Sequence, residues 1–120
     1  MSSYVLDTNI VIKALEGHEI IRNLLQDADL YISFVSEIEL LSWPSLNSES
    51  EEAVNQFLNQ VKIIELTSSI KQLVIDYRRR YKLKLADAFV IATSVFLNYT
   101  LLTTDTDFQK VAELSSVQII

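Results

Sequence analysis

The sequence predicts an α/β domain with a parallel β-sheet between layers of helices, and three observations carry that expectation. Short apolar runs of strand length recur along the chain. Between them lie longer segments whose apolar residues repeat at helical spacing. The 120 residues are 49% hydrophobic with one glycine and one proline, which suits one domain, residues 1–120, able to bury a core.

Tyr4-Val5-Leu6 reads as a first strand stopped by Asp7-Thr8-Asn9, after which Ile10 to Leu15 opens a helical pattern that breaks near Gly17. A second helix runs through Ile20, Leu24 and Leu25, with His18 as an exposed residue near its start. Leu30-Tyr31-Ile32 is the next strand. Ser36-Glu37-Ile38-Glu39 then fits the capping box, Ser followed three residues later by Glu, so Ser36 is expected to open a helix that Trp43-Pro44 ends. Ser48 to Gln60 starts with Glu49, Glu51 and Glu52, suited to a helix N-terminus, and carries Ala53, Val54, Phe57, Leu58 and Val61 on one stripe. Val61 to Ile64 is a third strand. Ser68 or Ser69 caps a helix with Ile70, Leu73, Val74 and Tyr77 at i, i+3, i+4, i+7 spacing and three arginines in its last turn. Ala86 to Leu97 is apolar nearly all round and is expected to be a central buried helix, with Asp87 its one charge. Thr100 to Thr103 is a fourth strand, Phe108 to Leu114 a short helix, and Val117 to Ile120 a last strand.

No run reaches the roughly 18 apolar residues of a membrane helix, and Asp7 arrives before a signal-peptide core could form. The expectation is a soluble, cytoplasmic protein that meets no membrane. Zero cysteines exclude disulfides and thiolate chemistry, and the lone His18 excludes paired-histidine zinc motifs. Any metal here must be held by oxygen. The formal charge of −6 argues weakly against a polyanionic partner. Half the cations, however, fall in Arg78, Arg79, Arg80, Lys82 and Lys84, and a pair of bound divalent ions would cancel most of the acid excess.

In a parallel sheet ligands collect beyond the carboxyl ends of the strands, so the acids there draw interest. Asp7 follows the first strand, and Asp105 and Asp107 follow the fourth. Glu39, in the first turn after the second strand, and Asp87, in the first turn of the apolar helix, can aim at the same crevice. Glu37 lies about 200° around the helix from Glu39 and is assigned to solvent. Each acid also has a bland reading: Asp7 or Asn9 as a helix cap, Asp105 or Asp107 in an Asx turn, Glu39 as the partner of Ser36. Asp87 resists that reading, because a carboxylate beside a core costs several kcal/mol unless something offsets it. Clustered carboxylates raise one another's pKa, and a divalent cation among them would relieve this and activate a water. Mg2+ and Mn2+ prefer such oxygen ligands, and a phosphodiester is the natural substrate.

The motifs LDTN (6–9), SFVSEIEL (33–40), KLADAFVIATS (84–94) and LLTTDTDF (101–108) together resemble the PIN-domain ribonucleases, most closely the VapC toxins of bacterial toxin–antitoxin pairs. The resemblance runs nearly end to end and rests on the ordered set. It implies a PIN-like three-layer fold, a five-stranded parallel sheet between helices, and a Mg2+- or Mn2+-dependent endoribonuclease. It also implies an acidic quartet of Asp7, Glu39, Asp87 and Asp105 with Asp107 beside it, and Thr8, Asn9 and Thr104 as orienting residues. The implied partners are an RNA substrate, a cognate antitoxin and a second copy in a homodimer. Ala86 stands where many relatives have proline, and Ser42-Trp43 where a glycine is common. No spacer separates Thr104 from the acid, which leaves Thr103 as the alternative threonine.

Arg78 to Lys84 could grip RNA phosphates or simply favour a helix C-terminus. Trp43 and Phe34 could be contacts for a second copy or an antitoxin, but core packing is the leading expectation for both. Two other classes stay open: a PIN-fold binding module with a silent site, and a phosphate-accepting receiver domain, although no aspartate lies between residues 50 and 65 to serve as acceptor.

Overall fold

The computed structural model describes residues 2–120. In chain order the elements are β1 (Ser3–Leu6), α1 (Thr8–Leu15), α2 (Glu19–Leu25), β2 (Asp29–Ser33), α3 (Phe34–Leu41), α4 (Ser48–Leu58), β3 (Lys62–Ile64), α5 (Ser68–Tyr81), α6 (Leu85–Leu97), β4 (Thr100–Thr103), a 3-10 turn (Thr106–Val111) and β5 (Val117–Ile119). The five strands form one sheet in the order β3-β2-β1-β4-β5, and every pairing is parallel. The expected α/β class is therefore what the chain adopts.

Parallel strands need crossover helices, which cover both faces. Side chains alternate along a strand, and the sheet uses this to feed two cores. Val5 and Leu101 pack with α5, α6 and Phe108 on one face. Leu6, Ile32 and Leu102 pack with α1 to α4 on the other. Strand order reverses at β1, because β2 and β3 extend to one side of it and β4 and β5 to the other. The crevice beyond the carboxyl ends of β1 and β4 is thus the topological switch point of the sheet, the place where such folds hold ligands.

Several element boundaries differ from the expectation. α1 starts at Thr8, two residues before the apolar pattern, with Asp7 as its cap. β2 runs into α3 without a loop, so Ser33 caps that helix by accepting from the Val35 amide at 3.2 Å. Ser36 is therefore a buried residue inside the first turn, Glu39 lies in the second turn, and the Ser36–Glu39 capping box does not form. Thr67, not Ser68 or Ser69, caps α5 through the Ile70 amide. Ala53 is exposed, so the α4 stripe is carried by Val54 with Phe57 and Leu58. The expected helix from Phe108 is the 3-10 turn capped by Asp105. His18 is exposed as expected, and its Nδ1 accepts from the Ile21 amide at the start of α2. Among the described residues no helix is long and apolar enough to cross a membrane.

Candidate active site

Asp7 is carried to the switch point by the last residue of β1, and its own amide donates to the carbonyl of Leu102 on β4 at 3.0 Å. That bond joins the ends of the two central strands and fixes the carboxylate in register with Thr103. The Thr103 hydroxyl donates to Asp7 Oδ2 at 2.8 Å, and the Thr8 amide donates to Oδ1 at 2.9 Å. Thr103 Oγ1 in turn accepts from the Asp105 amide at 3.0 Å, so one buried threonine ties the two acid-bearing segments together.

The second acid position is built similarly. Thr8 Oγ1 donates to Glu39 Oε1 at 2.7 Å and lies 3.0 Å from Ser36 Oγ. Glu39 is exposed, yet its carboxylate is tethered to a buried hydroxyl pair contributed by α1 and α3. Asp87 stands half-buried in the first turn of α6. Phe34 packs edge-on against Phe89 with ring centroids 5.1 Å apart, which holds α3 against α6 behind the site.

Asp7, Glu39, Asp87 and Asp105 all line one cavity of about 300 Å3, together with Thr8 and Asn9 from α1. No cationic side chain lines it. Thr104 and Asp107 lie outside the lining, with Thr104 half-buried and Asp107 exposed. Glu37 is half-buried and also stands apart from the cavity. None of the five basic residues lines it either. Arg78 Nε donates to the Leu83 carbonyl, and Arg80 pairs with Asp76 at 3.0 Å while lying over the Tyr81 ring. Arg79 and Lys82 are exposed, and only Lys84, just before α6, bears on a site acid.

Two residues were not foreseen in their present places. Ser36 contributes a buried hydroxyl, which its fit to a capping box disguised. Trp43, expected in the core, is 47% exposed at the cavity rim. Its flanking Ser42, Pro44 and Ser45 are a surface signal that could have been read in the sequence.

The electrostatics follow the geometry. Asp7 is only 7% exposed, and burial foremost pushes its carboxyl up to about 6 from the ordinary 3.8. The bonds from Thr103 and the Thr8 amide hold it down, while the charges of Asp87 and Glu39 push it further up. Asp87 is also raised, first by burial, then by the charge of Asp105, with Lys84 opposing. Raised pKa values of this origin in one cleft are a common mark of functional sites.

A raised carboxylate pKa means that the folded chain binds the proton more tightly than the unfolded chain. Between about pH 4 and pH 6 folding retains a proton that the unfolded chain releases, so stability from Asp7 is present below that window and falls as pH rises through it. The displacement corresponds to roughly 3 kcal/mol. Urea unfolding in EDTA should therefore show wild type losing stability relative to Asp7→Asn from pH 4 to pH 6.5; parallel curves for the two proteins would rule out burial of this carboxylate as the cause.

The PIN domain family model matches residues 4–114. No curated protein sequence matches the chain significantly. Among solved structures, the fold is similar to VapBC2 from Rickettsia felis bound to a promoter DNA fragment, with a TM-score of 0.85 at 19% identity over 98% of each chain. A toxin–antitoxin complex from Klebsiella pneumoniae matches at 27% identity and a TM-score of 0.78, covering 88% of this chain and 89% of that one. VapBC-1 from nontypeable Haemophilus influenzae matches at 24% identity and a TM-score of 0.79, covering 98% and 97%. With the model spanning all but the ends of the sequence, and with a parallel five-stranded sheet whose switch point gathers the acids, the chain belongs to the PIN domain family.

Proposed function

We propose that this protein is a Mg2+- or Mn2+-dependent endoribonuclease of the VapC toxin type. One observation carries the reading: carboxylates from four separate segments line a single cavity that no cationic side chain lines. Left alone, such a cluster is held together against its own repulsion.

The donor set fits a hard divalent ion in chemistry, since Asp7, Glu39, Asp87 and Asp105 offer only oxygen. As the side chains stand, no three acidic or histidine side chains among the described residues are close enough to ligate one ion together. Magnesium does not require three, because one or two carboxylates with waters and substrate oxygens commonly complete its shell. When bound, the ion would offset the acids' charge and supply an activated water together with a counter-charge for the leaving oxygen.

The chain's own residues divide the remaining work. Asp7, clamped by Thr103 and the Thr8 amide, is the fixed ligand, and Asp87, Asp105 and Glu39 would act on the ion through its waters or through substrate oxygens, with Asp107 flanking them. Thr8 and Asn9 orient the phosphate from the cavity wall. Thr103 takes the orienting role in place of Thr104, because it is the threonine that touches Asp7. Lys84 meets RNA phosphates at the rim beside Asp87, with Arg79 and Lys82 as exposed cations further out. Arg78 and Arg80 contribute less, being engaged with Leu83 and Asp76. The solved relatives above include toxin–antitoxin complexes, which supports a cognate antitoxin as partner, and the reading extends to a cytoplasmic homodimer.

The separation of the carboxylates favours a second reading, a PIN-fold binding module whose site is silent. Metal dependence separates the two. Protein stripped with EDTA should leave RNA intact, regain cleavage with Mn2+ or Mg2+, and unfold at higher temperature when the ion is added. Cleavage that continues in EDTA would defeat the proposal; an ion that produces neither cleavage nor stabilisation would leave the silent module.

A further inference from the structure

Trp43 is the chain's one tryptophan, and its ring is half in water. Single exposed apolar residues are ordinary, so exposure alone carries no argument. The position does. Trp43 forms part of the wall of the acidic cavity and also of a second cavity of about 310 Å3, which is mainly apolar, with Leu15, Leu40, Leu46 and Val54 in its lining beside the polar Glu16, Ser45 and Ser50. Ile12 is the other apolar side chain common to both. An acidic compartment and an apolar one therefore meet at an aromatic edge. The backbone under the ring is fixed: the Leu46 amide donates to the Trp43 carbonyl at 3.1 Å across a turn containing Pro44, and the Ser42 amide donates to Ile38. Such a turn holds the backbone that carries the ring at the rim, so that binding has only the side-chain torsions left to order.

We propose that Trp43 is a stacking platform for an unpaired nucleobase next to the phosphate that enters the acidic cavity. The inference rests on the ribonuclease reading and names the residue of this chain that would seat the base beside the cut. A nucleotide has two unlike surfaces, an anionic backbone and a flat apolar base: the acidic compartment would take the first through a bound divalent ion, and the mainly apolar one beside it suits the second. With no cation lining the cavity and a net charge of −6, electrostatic hold on RNA is left to the bound ion and to Lys84 at the rim, and stacking supplies further affinity independent of charge. A base inside a duplex cannot present its face to the ring, so pairing excludes the substrate. Trp43 touches the base and not the reacting atoms, which makes it a positioning residue.

The single tryptophan makes the test direct. On rapid mixing with a ten-nucleotide single-stranded RNA in Mn2+, before turnover accumulates, fluorescence should be quenched, and an abasic oligonucleotide of equal length should leave it unchanged. By anisotropy of labelled RNA, Trp43→Ala should bind about tenfold more weakly, while Trp43→Phe should stay within about threefold of wild type. RNA bound without quenching and with wild-type affinity by Trp43→Ala would overturn stacking and leave the nuclease reading intact. Binding and quenching without cleavage would instead defeat the nuclease reading alone. A blue shift produced by an antitoxin peptide, with no response to RNA, would assign the ring to a protein partner and overturn the proposal.

Discussion

Asp7→Asn should abolish RNA cleavage while making the protein more stable. A loss of about 100- to 1000-fold in rate is expected, the scale on which removing one preorganised electrostatic group acts. The stability gain follows from burial. At pH 7 the folded chain must keep Asp7 ionised although its carboxyl titrates near 6, and the neutral amide removes that penalty. The shape is retained: the asparagine oxygen can still accept from the Thr8 amide, while the Thr103 hydroxyl, which donates to Asp7, must turn to accept from the asparagine NH2 and gives back part of the gain. Urea unfolding at pH 7 should show a gain of about 1–3 kcal/mol in EDTA. Added Mn2+ should stabilise wild type and not the variant. A variant that is inactive because it is unfolded, or one that cleaves at the wild-type rate, would contradict the role given to this residue.

Phe108→Ala should be the most damaging substitution to the fold. The ring is 1% exposed and packs with Val90, Ile91, Leu101 and Val111 in the core beneath the 3-10 turn. Removing it deletes the transfer energy and leaves a cavity, costing about 3–5 kcal/mol. A domain of this size has roughly 5–15 kcal/mol in total, so a large part of its stability would go. The same turn carries the Asp105 cap, whose Oδ1 accepts from the Asp107 amide at 2.9 Å. The acid should therefore lose its fixed placement before the sheet does. Equilibrium urea unfolding checks the first claim, and metal affinity at denaturant concentrations below the transition checks the second. A loss under 1 kcal/mol would mean that the site collapses around the missing ring.

Much of the fold was legible because its two periodicities are clean. The α5 face of Ile70, Val74 and Tyr77 and the strand runs at β1 and β4 needed no tertiary information. The resemblance to PIN domains was borne out by the family match, which also displaces the receiver-domain alternative. Where local signals misled, neighbouring elements decided the outcome. Ser36 had a good capping pattern, but β2 enters α3 directly and Ser33 reaches the amides first. Phe108 and Val111, three residues apart, suit a 3-10 turn, whose side chains at i and i+3 eclipse, as well as a helix. Trp43 was misread by residue type, because aromatic character does not distinguish a core side chain from a rim one. The acids could be named from the sequence, whereas their tethering by Thr103, Thr8 and Ser36 depends on contacts between residues as far as 96 positions apart.

β1 has a neighbour on each side and the sheet's edges belong to β3 and β5, strands of three residues each. Short border strands are the natural first points of subglobal opening, and amide exchange should be fastest there. The hydrogen-bonded Asp7–Thr103 pair sits at the opposite extreme, anchored to the strands that release last. Partners can thus bend or displace the molecule's margins without dismantling the Asp7–Thr103 pair, which should vanish only when the whole domain does.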